Sequence, residues 1–320
     1  MNKQIHLSTT IPEKLAGLRL DVALSQLFPD YSRACLQRWI LQHAVTVNGQ
    51  ELRAKDKVTA GSTILITAEQ TIASQAQPQA IPLNFIYQDE ALLVINKPIG
   101  LVVHPGAGNA DHTLLNALLH YHPALEHLPR AGIIHRLDKN TSGVLVIAKT
   151  LTAHHQLVKQ LQARTIKREY VALVVGRVTA GGSINKPIGR HSSKRTHMTV
   201  REDGKIAITH YRVAERFRTH SVLQIFLETG RTHQIRVHMS YLHYPIVGDP
   251  LYGGRLHIPA SASATLIAAL REFKHQALHA KQLQLIHPVT KQELTFEAPI
   301  PADMQQLLQL LRQEEKTCER

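Results

Sequence analysis

The sequence predicts an α+β protein: a mixed, mostly antiparallel sheet with flanking helices, preceded by a small N-terminal α+β unit. The chain has 320 residues, about twice the ~150-residue guide for one domain, so two domains are expected. In the later part extended apolar runs outnumber helical ones, and several follow each other directly. That order favours antiparallel pairing over alternating strand-helix-strand units. Between the two parts, residues 68–80 (AEQTIASQAQPQA) are small and polar, with Pro78 and no apolar period. Such a stretch reads as a linker, giving units at 1–75 and 81–320.

In the first unit, Asp30-Tyr31-Ser32 precedes a helical pattern from Arg33 to about His43. Ser32 suits an N-cap, because its hydroxyl can accept from a free backbone N–H. Leu36, Trp39 and Ile40 fall three or four apart and predict one buried stripe, leaving Arg33, Gln37 and Arg38 on other faces. Val45-Thr46-Val47 then runs into Asn48-Gly49, the pair favoured in tight hairpin turns. Thr63 to Thr67 supplies another strand. A helix followed by a hairpin, with arginines on the helix, resembles the S4 RNA-binding module over roughly residues 15–70. That resemblance implies phosphate contacts for Arg33 and Arg38; otherwise they are ordinary surface charges.

In the second unit, Leu92 to Ile95 is a short apolar run suited to a buried strand. Thr113 opens a helical stretch carrying Leu114, Leu115, Leu118 and Leu119. Val144 to Ala148 is a further buried strand, and the helix after it places Leu157, Val158 and Leu161 on one face. Tyr170 to Val175 and Val222 to Leu227 complete the readable strands. No internal repeat is evident.

Lys and Arg number 37 against 24 acidic residues, a net charge of +13 with His neutral. This excess exceeds what solubility requires and predicts attraction to a polyanion. Cys35 and Cys318 are the two cysteines, far apart, with no disulfide framework or metal knuckle between them. No apolar run reaches the ~18–20 residues of a membrane span, and the first residues lack the apolar core of a signal peptide. A soluble, cytoplasmic protein is expected. The 21 histidines form no HExxH motif or Cys/His cluster of metal-binding spacing. His233 and His238, five apart, suit one metal poorly, and His135 reads as a loop-shaping residue. No metal is expected.

The most informative stretch is GIIHRLDKNTSGVLVIAK, from Gly132 to Lys149. Apolar runs flank HRLDKNTSG, which is dense in turn formers, so a strand-loop-strand unit should present acid and base on a loop. Taken alone, Asp138 is better explained as a turn residue hydrogen-bonding its own backbone than as a catalytic group. Arg-Leu-Asp recurs at 19–21, where a helix accounts for it, so the tripeptide by itself is weak.

The longer string is specific. HRLDKNTSG, with Asn96-Lys97-Pro98-Ile99-Gly100-Leu101-Val102-Val103-His104-Pro105 before it and Gly230-Arg231-Thr232-His233-Gln234-Ile235-Arg236-Val237-His238-Met239 after it, resembles the RluA family of pseudouridine synthases in order and spacing. The resemblance implies the pseudouridine synthase fold and an isomerase that breaks the bond from uracil N1 to ribose C1′, turns the base and rejoins it through C5. No cofactor is implied, because no group is added and no electron is transferred. Asp138 matches the essential aspartate, which either attacks C1′ or removes the C2′ proton. Arg236 matches the arginine that pairs with that aspartate, and Tyr170 the tyrosine that stacks on uracil and can help remove the C5 proton. Ile235 matches an apolar residue closing on the other face of the base. Arg136 matches the arginine that fills the space of the flipped nucleotide. For Arg231, turn placement or RNA contact is as open as a direct role. The implied partner is 23S ribosomal RNA or a large-subunit precursor, at the helix 69 stem-loop, with no membrane and nothing requiring more than a monomer. The rivals are a non-catalytic RNA-binding assembly factor, an N-glycosidase releasing free uracil, and the same reaction at another ribosomal or transfer RNA site.

Overall fold

The computed structural model describes residues 4–28, 31, 33–69, 76–106, 108–194, 196–260 and 262–318. The chain divides into two compact units, residues 1–75 with 126–129 and residues 76–125 with 130–320.

The first unit contains β1 (Gln4–Thr10), α1 (Leu20–Leu27), α2 (Arg33–Leu41), β2 (Val45–Val47) and β3 (Thr63–Glu69). The strands form an antiparallel sheet in the order β1-β3-β2. The apolar stripe of α2 is buried as its spacing requires: Leu36, Trp39 and Ile40 lie in one core with Leu20, Leu24, Ile64 and Ile66. Each such side chain removed from water contributes roughly 1.5–3 kcal/mol. The helix ends at Leu41, two residues short of expectation, because His43 takes a left-handed backbone with φ of 59°. Asn48 and Gly49 both have positive φ, 50° and 78°, the conformation a two-residue hairpin turn needs. Ser32, expected as the N-cap, lies outside the described residues. So does much of the expected linker, while its first residues, Ala68 and Glu69, belong to β3.

Arg19, Arg33 and Gln37 converge on the carboxylate of Asp21, whose side chain is fully buried. Arg33 Nη2 donates to Asp21 Oδ2 at 2.6 Å and Gln37 Nε2 at 2.7 Å. Burial alone would raise this carboxyl; the donors from Arg33, Gln37 and Arg19 overcome it and bring it down to about 2. The Arg-Leu-Asp at 19–21 thus ties α1 to α2.

The second unit contains β4 (Asn84–Gln88), β5 (Leu92–Lys97), α3 (Leu114–Tyr121), β6 (Ser142–Ala148), α4 (Leu151–Gln162), β7 (Lys167–Val175), β8 (Gly182–Asn185), β9 (Ile188–Arg190), β10 (Met198–Val200), β11 (Ile208–Arg216), β12 (His220–Leu227), α5 (Gln234–Tyr241), α6 (Ala264–Glu272), β13 (Leu278–Ile286), β14 (Glu293–Glu297) and α7 (Ala302–Cys318). Among the described residues one sheet runs β4-β5-β6-β13-β7-β12-β11-β8, with β14 also pairing β13, and β9 and β10 form a separate hairpin. Its neighbours are antiparallel except β6 and β13, which run parallel. β6 and the centre of β7 are buried on both faces, which explains their uninterrupted apolar runs. Thr113 caps α3, with its N–H donating to Asn116 Oδ1 at 3.0 Å. Leu157 of α4 packs into the core with Val144, Val146 and Ala148 of β6. No helix among the described residues is long and apolar enough to cross a membrane.

One element differs from expectation. The apolar run before HRLD, residues 132–134, is not a strand: it leaves a kinked turn over Pro129–Gly132 in which Arg130 and Ala131 are left-handed. Only Ile133 bridges Ile147 of β6.

Candidate active site

Asp138 sits on the loop entering β6, and the sequence pins this loop from several sides. Leu137 is buried, 4% exposed, and acts as an anchor beside the carboxylate. Thr141 N–H donates to Asp138 O at 3.0 Å, closing a turn. The carbonyl of Lys139 accepts from Gly100 N–H at 2.9 Å and from Lys97 Nζ at 3.0 Å. Lys97, fully buried, also donates to the carbonyls of Pro98 and Leu101 at 2.8 and 2.9 Å. It cross-ties the segment after β5 to the aspartate loop. Burial pushes its amine down to about 7, with the negative charge of Asp138 pulling the other way.

Facing Asp138 is the start of α5. His233, the N-cap, has a left-handed backbone (φ 57°, ψ 21°). Gln234 closes the entering turn: its Oε1 accepts from Arg231 N–H at 3.0 Å and Thr229 Oγ1 at 2.8 Å. Arg236 then points inward, 4% exposed. Its Nη1 donates to Asp138 Oδ2 at 3.0 Å. Its Nε and Nη2 form a two-point pair with Asp249, at 2.7 and 2.9 Å. Asp249 Oδ1 also accepts from Leu251 and Tyr252 N–H, at 2.9 and 3.0 Å. Burial opposes the Arg236 charge, but the hydrogen bonds and charges of Asp249 and Asp138 outweigh it and hold the guanidinium above its ordinary value. A planar fork gripped on one edge by a buried carboxylate presents its remaining N–H in a fixed direction.

Tyr170 lies in β7 between Ile225 of β12 and Ala280 of β13. It is 6% exposed, and burial raises its phenol, with the Asp138 charge adding to the rise against Arg168. The hydroxyl is therefore held neutral, with the Asp138 charge acting on it. An apolar neighbour, Ile235, is 4% exposed on the first turn of α5. Arg136 is exposed on the aspartate loop, two residues before Asp138. Arg231 is exposed with its Nε donating to Ile206 O at 2.9 Å. Arg33 and Arg38 are exposed on α2 of the first unit, Arg33 engaged with Asp21 as described. His135 shapes the aspartate loop: its Nε2 accepts from Val146 N–H at 3.4 Å, and burial pushes the ring down to about 3.

Sequence reasoning missed Asp249, Tyr252, the role of Lys97 and Arg168. Asp249 and Tyr252 lie in GDPLYGG, which carries only turn signals. Arg168 is 8% exposed, bonds the carbonyls of Leu227 and Glu228 at 3.4 and 3.3 Å, and has a buried Nε with no partner. Its spacing of two residues from Tyr170 on one strand face was the available signal.

Residues 91–241 match the family described as RNA pseudouridylate synthase, and residues 18–64 match the S4 domain. Over 313 residues the chain is 52% identical to ribosomal large subunit pseudouridine synthase D of Escherichia coli (strain K12), covering 98% of this chain and 96% of the relative. The protein of the same name from Yersinia pestis is 54% identical over the same shares. The chain belongs to the RNA pseudouridine synthase family. Among solved structures, human RNA pseudouridylate synthase domain containing 4 aligns with a TM-score of 0.55 and 28% identity, over 72% of this chain and 93% of that one. Human RNA pseudouridylate synthase domain containing 1 aligns at 0.54 and 26%, over 74% and 98%. The expected fold, a pseudouridine synthase sheet with an N-terminal S4 domain, is the one present. As an RNA pseudouridine synthase the protein is an isomerase.

Proposed function

We propose that this synthase converts uridines of 23S ribosomal RNA, at the helix 69 stem-loop, to pseudouridine, with Asp138 as the catalytic group. The observation that carries the reading is the Asp138 carboxylate held by Arg236 at 3.0 Å, with Arg236 itself clamped by buried Asp249. The target is supported by relatives named for the large subunit that match the chain along 98% of its length. A uridine in a stem-loop must leave its stack before C1′ is reachable, and exposed Arg136 is positioned to fill the vacated space. Tyr170 and Ile235 then take the two faces of the uracil. Asp138 acts at the sugar, either on C1′ or on the C2′ proton; the N1–C1′ bond breaks with its electron pair on the base. The base turns and C5 bonds to C1′ as the Asp138–C1′ bond breaks or, on the other route, as the C2′ proton returns from Asp138. The C5 proton is then removed and N1 takes up a proton, a transfer in which the Tyr170 hydroxyl assists.

The S4 unit, taken as residues 1–75, contributes affinity through α2, with Arg38 and the outer face of Arg33 on phosphates. Arg231, beside the α5 turn, adds a further RNA contact. The protein works as a cytoplasmic monomer on ribosomal RNA or a large-subunit precursor. The test is to treat large-subunit RNA lacking the modification with wild type and Asp138→Asn, and to map pseudouridine. Formation in helix 69 by wild type alone is expected. Formation elsewhere overturns the target, free uracil overturns the isomerase reading, and an active Asp138→Asn overturns the residue assignment.

A further inference from the structure

Tyr252 makes more contacts around Asp138 than packing requires. Its hydroxyl accepts from Met198 N–H of β10 at 2.8 Å and lies 2.8 Å from His233 Nδ1. Its ring lies under the Arg236 guanidinium, 5.0 Å from the centroid. Its backbone N–H donates to Asp249. The other nitrogen of His233, Nε2, stands 4.0 Å from Asp138 Oδ2.

From these contacts we infer that Tyr252 and His233 are positioning residues that aim an imidazole N–H at Oδ2 of Asp138 and leave Oδ1 as the reacting oxygen. A phenol hydroxyl has one proton and two lone pairs. With one lone pair taken by Met198 N–H, the proton needs an acceptor, and Nδ1 is the one in reach. Accepting there forces the proton of the neutral ring onto Nε2, facing the carboxylate. The opposite tautomer would set an Nε2 lone pair against Oδ2 and strand the hydroxyl proton. Burial, the largest influence on His233, lowers its affinity for a second proton; Asp138 and Asp249 oppose this and Arg236 and Arg136 reinforce it. The backbone gives independent support. His233 is a non-glycine residue held left-handed at the mouth of α5, and such strain persists where surrounding structure maintains it. Oδ2 is then addressed by both Arg236 and His233, and the 4.0 Å gap is one that substrate binding can tighten. This inference rests on Asp138 being the catalytic group.

The experiment combines imidazole ¹⁵N NMR of full-length protein with single-turnover kinetics on uridine-containing RNA for wild type, Tyr252→Phe, His233→Gln, His233→Ala, the Tyr252→Phe/His233→Ala double variant and Asp138→Asn. Wild-type His233 is expected as the Nε2–H tautomer, and Tyr252→Phe, which keeps the ring over Arg236, should mix the two tautomers. Rates should fall about 10-fold in Tyr252→Phe and about 30-fold in His233→Ala with KM unchanged, and His233→Gln, whose amide restores an N–H, should recover much of that loss. The double variant should be no slower than His233→Ala, because Tyr252 acts through His233. An Nδ1–H tautomer in wild type overturns the inference even if a variant misfolds. So does a wild-type rate in Tyr252→Phe, or losses that multiply in the double variant. An active Asp138→Asn removes the premise instead, so the two failures are told apart.

Discussion

Arg236 is held at three points, two on Asp249 and one on Asp138, and a lysine cannot reproduce that. Its ammonium is a point charge without a fork. Arg236→Lys is therefore expected to lose about 100-fold in single-turnover rate, since misplacing a catalytic group by ~1 Å costs that much, while RNA affinity stays within a few-fold. A gel-based pseudouridine assay beside a filter-binding titration separates these effects. At this scale the sequence was legible where residues share a string. Asp138 and Arg236 stand in motifs that name them. Asp249 does not, because its partnership with Arg236 across 13 positions arises only when the chain after α5 folds back. Lys97 does stand in a string, but its role shows only in the fold, where its amine is buried against carbonyls of its own loop and of Lys139.

Elements carry the site by being pinned to each other. Gly143 has φ of 113° where β6 runs beside β13, and a Cβ there would overlap the backbone of Ala280. Gly143→Ala is expected to cost at least ~3 kcal/mol in chemical unfolding, strain and overlap adding, with loss of activity because β6 carries the Asp138 loop. In the first unit, α1 and α2 depend on the ionised Asp21. Its carboxyl is near 2 in the fold against 3.8 normally. The folded state binds the proton less readily, so the stability from this group is complete above about pH 4 and is lost as pH falls through about 2. Helical signal from the S4 unit should drop over that window in an acid titration, and Asp21→Asn should flatten the dependence while lowering stability at neutral pH. The stripe of α2 and the Asn48-Gly49 turn were readable because both are local. The run before HRLD was misread as a strand because short apolar stretches lack a period that distinguishes strand from buried turn. Left-handed Arg130 and Ala131 leave no mark on residue type.

Across the whole molecule, the +13 charge should make RNA affinity fall steeply with salt, about 10-fold or more between 50 and 200 mM, as phosphate contacts release counterions. A flat titration would remove the electrostatic role of the basic excess, and Arg38→Ala should shallow the slope without touching the single-turnover rate. The sequence by itself determined the two-unit α+β plan, the attraction to a polyanion, and the residues of the three motif strings, because composition, periodicity and contiguous motifs are properties of neighbouring positions. Only the tertiary structure decided which groups surround the carboxylate. Lys97, Asp138, His233, Arg236, Asp249 and Tyr252 come from separated segments, and only their packing together lowers the Lys97 amine, holds the Arg236 guanidinium above its ordinary value and sets the direction each group faces.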